Sequence, residues 1–435
     1  MYRNFILIAF LFAFCACSAP QVIDIKEIKS KYGINALLSN LDNTSMTRVT
    51  FIFKKSGYAY DPTKKQGLAN IALLMLQDGP SDKRKTQFLE ETASLGAKIS
   101  FDIDQDNFYC FVDVISENVK EAVALALHLM LYPSLNNENL TKAKEIQHSV
   151  ANTINTDASY VAKQEFFKSL FTDSGYGNNR YGAPSTLENI FLDDVKSFIA
   201  STFQRMNFAV NFVGKVSEQE VIEILDGDII DLPLTVIENR PEPKHKIGAK
   251  GGIAQINLNT PHNKIFFGKK SLGFNDDNIY NLLVLNHMLG GPWLGSVLMS
   301  EIREKKGYSY GIQTSILNLS YVNLFMGFTS SDIKNSDDVI LLIKDSMKSL
   351  SKSGLSESNL EEAKGYIKGS FIIGLDGVFG VSDFLKKIQI NNLSINYADL
   401  YLDGIANVKL DSLNHFISDF LDAENFTFIN VGKFD

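Results

Sequence analysis

The sequence predicts an α+β protein in which one structural unit is written twice. An internal repeat gives the first indication, because residues 135–144 align with residues 355–364 at an offset of 220, with matching Leu, Asn, Leu, Ala and Lys. Asn, Val, Gly and Lys of residues 211–215 recur in residues 430–433, at an offset again close to 220, as the expected closing strand of each half. Strand-like alternation is interleaved with long amphipathic helical patterns in both halves.

Each copy of the repeat is predicted to begin a helix in the same way. Asn136 and Ser356 stand at the N-cap position, where a side-chain oxygen accepts a hydrogen bond from a free backbone N–H. Leucines flank both caps at the spacing of a hydrophobic staple. The two helices are therefore expected to be structural equivalents.

A linker is predicted between the halves. Residues 237–252 contain two prolines, three glycines and many charges, a composition typical of a connecting segment. It divides an N-terminal domain, residues 22–236, from a C-terminal domain, residues 253–435. A chain of 435 residues, 45% hydrophobic and 21% charged, is long enough for more than one core.

The N-terminus has the pattern of an export signal over residues 1–18. Arg3 precedes a ten-residue apolar run that is too short to span a membrane, and small residues follow it. Ala16 and Ser18 fit cleavage to a soluble periplasmic protein, whereas Ala16 followed by Cys17 is similar to a bacterial lipobox, which would place a lipid anchor on Cys17. Both alternatives predict a periplasmic protein.

Charge and isolated reactive residues exclude several other classes. The net charge is −8 and no basic run is present, which argues against nucleic acid as a partner. Cys110 lies in an alternating segment and is expected to be a buried strand thiol. Asp102, Asp104 and Asp106 alternate without the Gly and Glu of a calcium loop, so a solvated face is expected.

The segment 67–79 carries the first family motif. Gly-Leu-Ala before it and Met-Leu-x-x-Gly at its end resemble the insulinase/mitochondrial-processing-peptidase family, peptidase family M16. That family has His-x-x-Glu-His here, in which the two His bind zinc and the Glu activates water. In this sequence those positions are Asn70, Leu73 and Leu74, and the family's further zinc-binding Glu falls on or next to Ala151. The resemblance therefore implies a protease scaffold whose own chain binds no zinc.

The resemblance extends over essentially the whole mature chain. It implies two tandem α/β rolls, each a sheet with helices packed on one face, arranged around a cleft as a clam-like half-chamber. A second M16-like segment, residues 289–311, supports it. Its apolar residues recur at helical spacing and predict one helix face, namely Leu294, Val297, Leu298 and Ile302. Gly307 is placed to supply a left-handed cap, before a strand in which Tyr308, Tyr310 and Ile312 alternate.

Arg303 and Tyr310 are the candidate substrate-binding residues. In the family this Arg and Tyr hydrogen-bond the peptide backbone beside the scissile bond in the zinc-bearing half. The alternative is structural: Arg303 would pair with Glu301 or Glu304, and Tyr310 would pack in the sheet. Before the helix, Gly290 and Gly291 lack the Gly-Lys-Ser/Thr of a phosphate loop, so a loop opening on the cleft is expected.

A different zinc site could form from His148, Glu145 and Asp157, but no second His lies near them in sequence. The remaining histidines are isolated: His128, His245, His262, His287 and His415. Two functions stay open. The chain is either the non-catalytic, substrate-binding subunit of a heterodimeric periplasmic zinc peptidase, whose partner carries His-x-x-Glu-His and the zinc, or a non-enzymatic assembly or peptide-binding protein with the same fold.

Overall fold

The computed structural model describes residues 22–234, 243, 251–293 and 295–434. The predicted signal segment with Cys17, most of the predicted linker, and Leu294 lie outside the described residues. Within the described ranges, no helix is both long enough and apolar enough to cross a bilayer. Cys110 is buried in a strand, as predicted.

The first half contains a six-stranded mixed sheet. Its strands are β1 (Lys26–Lys29), β2 (Asn35–Asn40), β3 (Met46–Phe53), β4 (Lys98–Ile103), β5 (Phe108–Ile115) and β6 (Phe208–Gly214). The order across the sheet is β1-β2-β6-β3-β5-β4, in which only the β2–β6 pair is parallel. The sheet therefore has β1 and β4 as its edges.

Eight α-helices accompany this sheet in the described part of the first half. They are α1 (Leu68–Leu76), α2 (Lys85–Ser94), α3 (Val119–Leu131), α4 (Asn137–Ile154), α5 (Ala158–Leu170), α6 (Pro184–Leu187), α7 (Leu192–Thr202) and α8 (Glu218–Gly227). Alternate side chains of β3, Val49, Phe51 and Phe53, join α1, α3, α4, α7 and α8 in one apolar core. Burial of these side chains packs α1 against one face of the sheet.

The second half repeats the arrangement with five strands. They are β7 (Gly252–Asn257), β8 (His262–Lys270), β9 (Ser309–Asn318), β10 (Asn323–Asp332) and β11 (Thr427–Gly432). The order β7-β11-β8-β10-β9 reproduces β2-β6-β3-β5-β4 of the first sheet, including its single parallel pair. The predicted duplication is thus confirmed at the level of strand order, with the predicted closing segments in β6 and β11.

The helices of the second half follow the same plan. They are α9 (Ile279–Gly290), α10 (Ser336–Ser353), α11 (Glu357–Gly374), α12 (Gly377–Asn391), α13 (Tyr397–Ala406) and α14 (Leu410–Phe420), with a π-helix at Met299–Glu304. The repeated caps are confirmed: Asn136 Oδ1 accepts from the backbone N–H of Asn139 at 2.9 Å, and Ser356 Oγ accepts from that of Asn359 at 3.2 Å. Equivalent caps therefore begin α4 and α11.

Each half also covers the second face of the other half's sheet with one helix. Along β8, Phe267 belongs to the core of the second half, while the adjacent Phe266 packs with α5 of the first half. In return α12 packs on β3 and β6, where Thr50 Oγ1 and Ser382 Oγ lie 2.9 Å apart. The expected arrangement, a sheet with helices on one face, holds for the helices that each half places on its own sheet. The second face of each sheet is covered by a helix of the other half.

Candidate functional site

Helix α1 is built into the core from its first residue. Gly67 begins it in the left-handed region, at φ +97°, and the Asp61 carboxylate accepts hydrogen bonds from the N–H groups of Gly67 (2.9 Å) and Ala69 (3.0 Å). A carboxylate at this end satisfies free N–H groups and suits the positive end of the helix dipole. Every residue of α1 except the half-buried Leu74 is buried. Helix α1 is therefore enclosed by the apolar core of the first half.

Asn70 lies within a network of neutral amides. Its Nδ2 donates to Gln147 Oε1 at 2.8 Å, and Gln147 Nε2 donates to the carbonyl oxygens of Gly67 and Tyr181, each at 3.0 Å. Asn70 Oδ1 accepts a longer hydrogen bond, 3.3 Å, from Arg180 Nε. Because these bonds use both amide groups, Asn70 and Gln147 act as a structural bridge between α1 and α4.

Gln147 is the residue at this position that the sequence analysis missed. It lies on α4 one turn before Ala151, on the buried face that also includes Leu140 and Ala143. The available sequence signal was its spacing, since Gln147 continues the apolar positions Leu140, Ala143 and Ala151 at intervals of three and four. Leu73 packs in the core on the facing helix. The four positions of the motif, Asn70, Leu73, Leu74 and Ala151, therefore provide no zinc ligand and no general base.

The alternative metal site is not assembled. Asp157 caps α5, where its Oδ1 accepts from the backbone N–H groups of Ser159 (2.7 Å) and Tyr160 (3.0 Å). Glu145 is exposed on α4, and His148 is half-buried. Among the described residues, no group of three or more His, Cys, Asp or Glu side chains could hold a metal ion.

The segment that carries Arg303 differs from the predicted α-helix. Residues Met299–Glu304 form a π-helix, in which the N–H of Lys305 bonds to the carbonyl of Ser300 at 3.0 Å, five residues back. The predicted α-helical register is therefore wrong over this stretch, although Ile302 is buried as expected. The predicted left-handed cap is confirmed at Gly307, whose φ is +64°.

A β-bulge decides the direction of Tyr310. Two residues of β9, Tyr310 and Gly311, stand opposite the single Ser330 of β10. An extra residue of this kind bends the strand and turns a side chain away from the regular alternation. Tyr310 is consequently 90% exposed, whereas Ile312 is 1% exposed. The predicted regular alternation is wrong at this point, and the bulge explains why.

The π-helix and the bulge together bring Arg303 and Tyr310 into contact. The guanidinium carbon of Arg303 lies 5.4 Å from the centroid of the Tyr310 ring, a cation–π distance. Glu301 pairs with Lys305 at 2.6 Å instead of with Arg303. Within the described part of the chain, Arg303 forms no ion pair and the Tyr310 hydroxyl forms no hydrogen bond. The alternative in which Arg303 pairs with Glu301 or Glu304 and Tyr310 packs in the sheet is therefore not observed.

Gly290 and Gly291 are buried, Gly290 as the last residue of α9, and the loop that follows them exposes Pro292. Gly290 ends α9 and packs against β9: a Cβ there would lie 2.8 Å from Thr314 Cγ2. A Cβ on Gly291 would lie 2.6 Å from the carbonyl oxygen of His287. The pair permits close packing of a helix end on the strand that carries Tyr310.

The acidic motif at the end of β4 does not form the expected solvated face, because Asp106 is buried and Asp104 is half-buried, whereas Asp102 is exposed. Asp104 accepts a hydrogen bond from the Tyr109 hydroxyl, and burial raises the pKa of its carboxyl. Asp106 is 3% exposed and accepts from the Tyr176 hydroxyl and from the backbone N–H of Ser320, both at 2.8 Å. Burial raises the pKa of Asp106 to about 6. Asp106 thus ties the β4–β5 turn of the first half to the β9–β10 turn of the second.

A cavity of about 430 Å³ lies beside this motif. Arg180 lines it and connects it to Asn70, and it pairs with Asp102 of the edge strand β4 at 3.0 Å. Tyr58 and Tyr160 also line the cavity, and burial raises the pKa of both phenols. The cavity and the adjacent strand edge therefore present hydrogen-bonding groups to solvent beside Asn70, which stands where the M16 resemblance places a zinc ligand.

The fold and the site define a metalloprotease-like protein whose metal position is occupied by an amide bridge. Residues 37–183 match the model of insulinase (peptidase family M16), and residues 189–366 match that of the peptidase M16 inactive domain. The chain belongs to peptidase family M16.

Relatives with similar descriptions are found over most of the chain. A Helicobacter pylori protein named a non-peptidase homolog, YmxG, is 20% identical over 87% of this chain and 87% of its own length. The Bacillus subtilis "Probable inactive metalloprotease YmfF" is 21% identical over 89% of this chain and 94% of its own length. The crystal structure of a peptidase M16 inactive domain from Pseudomonas fluorescens has a TM-score of 0.85, with 20% identity, and covers 95% of this chain and 98% of that one. These relatives support a non-catalytic M16 protein.

Proposed function

We propose that this chain is the substrate-binding, non-catalytic subunit of a heterodimeric periplasmic M16 zinc peptidase. Its partner is an M16 chain with an intact His-x-x-Glu-His motif, which supplies the zinc and the general base. Arg303 and Tyr310 bind the backbone of the peptide at the partner's zinc site. A guanidinium and a phenol are suitable donors for the carbonyl oxygen that becomes negative in the tetrahedral state.

The observation that supports the proposal is the contrast between Asn70, in the first half, and the pair Arg303 and Tyr310, in the second. At Asn70 every polar group is already bonded within the chain, so this position offers nothing to a substrate. At Tyr310 the side chain is almost fully exposed, and the donors of Arg303 have no acceptor among the described residues. Donors without an acceptor, held by a π-helix and a bulge, are typical of a binding site, since such backbone irregularities cluster at functional positions.

The peptide is proposed to bind as an added strand along a sheet edge. Both β4, beside Arg180, and β9, which carries Tyr310, are edge strands of their sheets. Unpaired backbone groups on an edge give affinity for an extended peptide of any sequence, and side-chain pockets give preference. In the alternative function, the chain would be a non-enzymatic assembly or peptide-binding protein and would use the same strand edges without a zinc-bearing partner.

Reconstitution tests the proposal. The chain is purified alone and together with an M16 chain from the same genome that carries His-x-x-Glu-His, and light scattering after size exclusion measures the mass of the complex. A 1:1 complex that hydrolyses an unstructured peptide, with neither chain active alone, is the expected result. A complex without hydrolysis would favour the assembly function. Full activity of the zinc-bearing chain without any complex would exclude the proposed role.

A further inference from the structure

A second cavity, of about 560 Å³, lies at the seam between the two halves. The β1–β2 turn, the start of β6 and the C-terminal end of α12 all contribute to its lining, and none of its lining residues belongs to the site described above. Its volume falls within the range that holds a small organic ligand. No step of the proposed peptidase function uses it.

Two cations without a carboxylate partner line this cavity. Lys54 Nζ donates to the side-chain oxygen of Asn392 at 3.1 Å, and Arg205 Nε is buried without a hydrogen-bond partner in the described chain. Glu27 also lines the cavity, but it forms no ion pair with either cation in the described chain. Burial lowers the pKa of Lys54, as expected for an ammonium that lacks a counter-ion. A buried donor that stays unbonded costs free energy, and an anion would satisfy it.

The remaining lining combines apolar side chains with the amides of Asn35, Gln389 and Asn392. Ile34, Leu37 and Ile388 are buried there, while Tyr32 and Met206 are exposed large side chains in the same lining. Apolar walls with a few convergent polar groups are typical of sites for small amphiphilic molecules. A neutral apolar molecule would leave Arg205 Nε without an acceptor, and a small inorganic anion would leave the apolar walls uncovered.

We propose that this cavity binds an aliphatic monocarboxylate. The carboxylate accepts hydrogen bonds from Lys54 and Arg205, and the hydrocarbon chain packs on the side chains of Ile34, Leu37 and Ile388. One negative charge balances the single positive charge left by the two cations and Glu27. Because Ile388 belongs to α12 and the other contacts to the first half, the ligand would bridge the two halves. The inference rests on the cavity alone and does not depend on the proposed peptidase role.

Isothermal titration calorimetry with decanoate, below its micelle concentration at pH 7.5, tests the inference on the purified chain. Decanol is the matched probe, since it has the same hydrocarbon length and no charge. Saturable 1:1 binding of decanoate, at least about tenfold tighter than decanol, is expected because charge-assisted hydrogen bonds discriminate by this order. Equal affinity for both probes, or no binding of decanoate, would overturn the proposal.

Variants locate the binding to this cavity. Lys54→Met and Arg205→Gln should each weaken decanoate binding by about 10- to 100-fold. Lys54→Arg keeps the positive charge and should remain within about fivefold of the parent chain, which separates loss of charge from loss of folding. The control variants remove exposed charges elsewhere, Lys348→Met on α10 and Arg84→Gln before α2, and should leave the affinity unchanged. Weakening by the controls as much as by the cavity variants would mean non-specific adsorption and would overturn the proposal.

Discussion

The side-chain amide of Asn70 on α1 donates a 2.8 Å hydrogen bond to that of Gln147 on α4. These positions lie 77 residues apart in the chain, and their amides bridge the two helices where the M16 resemblance places zinc ligands. Gln147 also donates to two backbone carbonyl oxygens, so its orientation is fixed by three bonds. The altered metal position is therefore an integral part of the folded core, and changes in it should be measured first as changes in stability.

Replacement of Gln147 by Glu tests the direction of these hydrogen bonds. The new carboxylate would place an acceptor against the carbonyl oxygens of Gly67 and Tyr181, in a fully buried position. We expect the free energy of unfolding at pH 7.5 to fall by about 3–5 kcal/mol, the usual cost of an uncompensated buried charge. Urea denaturation followed by far-UV circular dichroism measures it. Gln87→Glu, an exposed control on α2, should change stability by less than about 0.5 kcal/mol. Equal effects of the two variants would refute the bridging role.

Reinstating the family motif should not create a zinc site. In the triple variant Asn70→His, Leu73→Glu and Leu74→His, a carboxylate replaces a buried core leucine, and the hydrogen bond to Gln147 is lost. The third ligand and the groups that orient ligands would still be absent. We expect a destabilised protein with well under one zinc per chain, measured by elemental analysis after gel filtration. A stoichiometric, chelator-sensitive zinc would contradict this expectation.

Loss of Arg303 or of the Tyr310 hydroxyl should affect turnover and not folding. In the reconstituted complex, Arg303→Ala and Tyr310→Phe should each lower kcat/KM by about 10²- to 10³-fold, as expected for one preorganised donor. The double variant should lose less than the product of the two, because both donors would serve one substrate group. Peptide-cleavage kinetics measure these losses, and Tyr132→Phe is the exposed phenol control.

Stability separates a binding role of Tyr310 from a structural one. Its hydroxyl has no hydrogen-bond partner in the described chain, so Tyr310→Phe should leave the free energy of unfolding within about 0.5 kcal/mol. Complex formation, followed by size exclusion, should also be unchanged. Loss of the complex in either variant would show that the pair supports the interface, and full activity in both would favour the non-enzymatic function.

The buried carboxyl of Asp106 should give the stability a defined pH dependence. Since its pKa is raised to about 6, between roughly pH 4 and pH 6 the folded chain holds a proton that the unfolded chain has released. The contribution of this group is therefore most favourable below about pH 4 and is lost as pH rises through about 6. Asp106→Asn removes this change, since the amide can donate to the Tyr176 hydroxyl and accept from the N–H of Ser320. We expect the variant to gain stability relative to the parent between pH 5 and pH 7, on the order of 2 kcal/mol.

Paired urea titrations of both proteins at several pH values measure this gain, because the difference cancels the other carboxyl groups. Asp277→Asn is the control at an exposed position. A constant difference between Asp106→Asn and the parent chain across this range would contradict the expected titration of Asp106.

Local sequence signals predicted the repeated framework well. The caps at Asn136 and Ser356, the closing strands and the left-handed Gly307 all depend on residues within a few positions of one another. The loss of the zinc motif could likewise be read from residue identity alone. Predictions that assumed regular periodicity were wrong where the backbone is irregular: the π-helix that contains Arg303 and the bulge at Tyr310 each shift the register by one residue.

The sequence by itself determined that this protein is a duplicated α+β chain of the M16 type whose motif positions supply neither metal ligands nor a base. Spacing and residue chemistry suffice for that conclusion. Only the tertiary structure decided that Gln147 fills the space beside Asn70, that Asp106 is buried between the halves, and that α5 and α12 are exchanged between the two sheets. These features depend on contacts between residues that lie far apart in the chain, which no local pattern specifies, and burial in these contacts raises the pKa of Asp106.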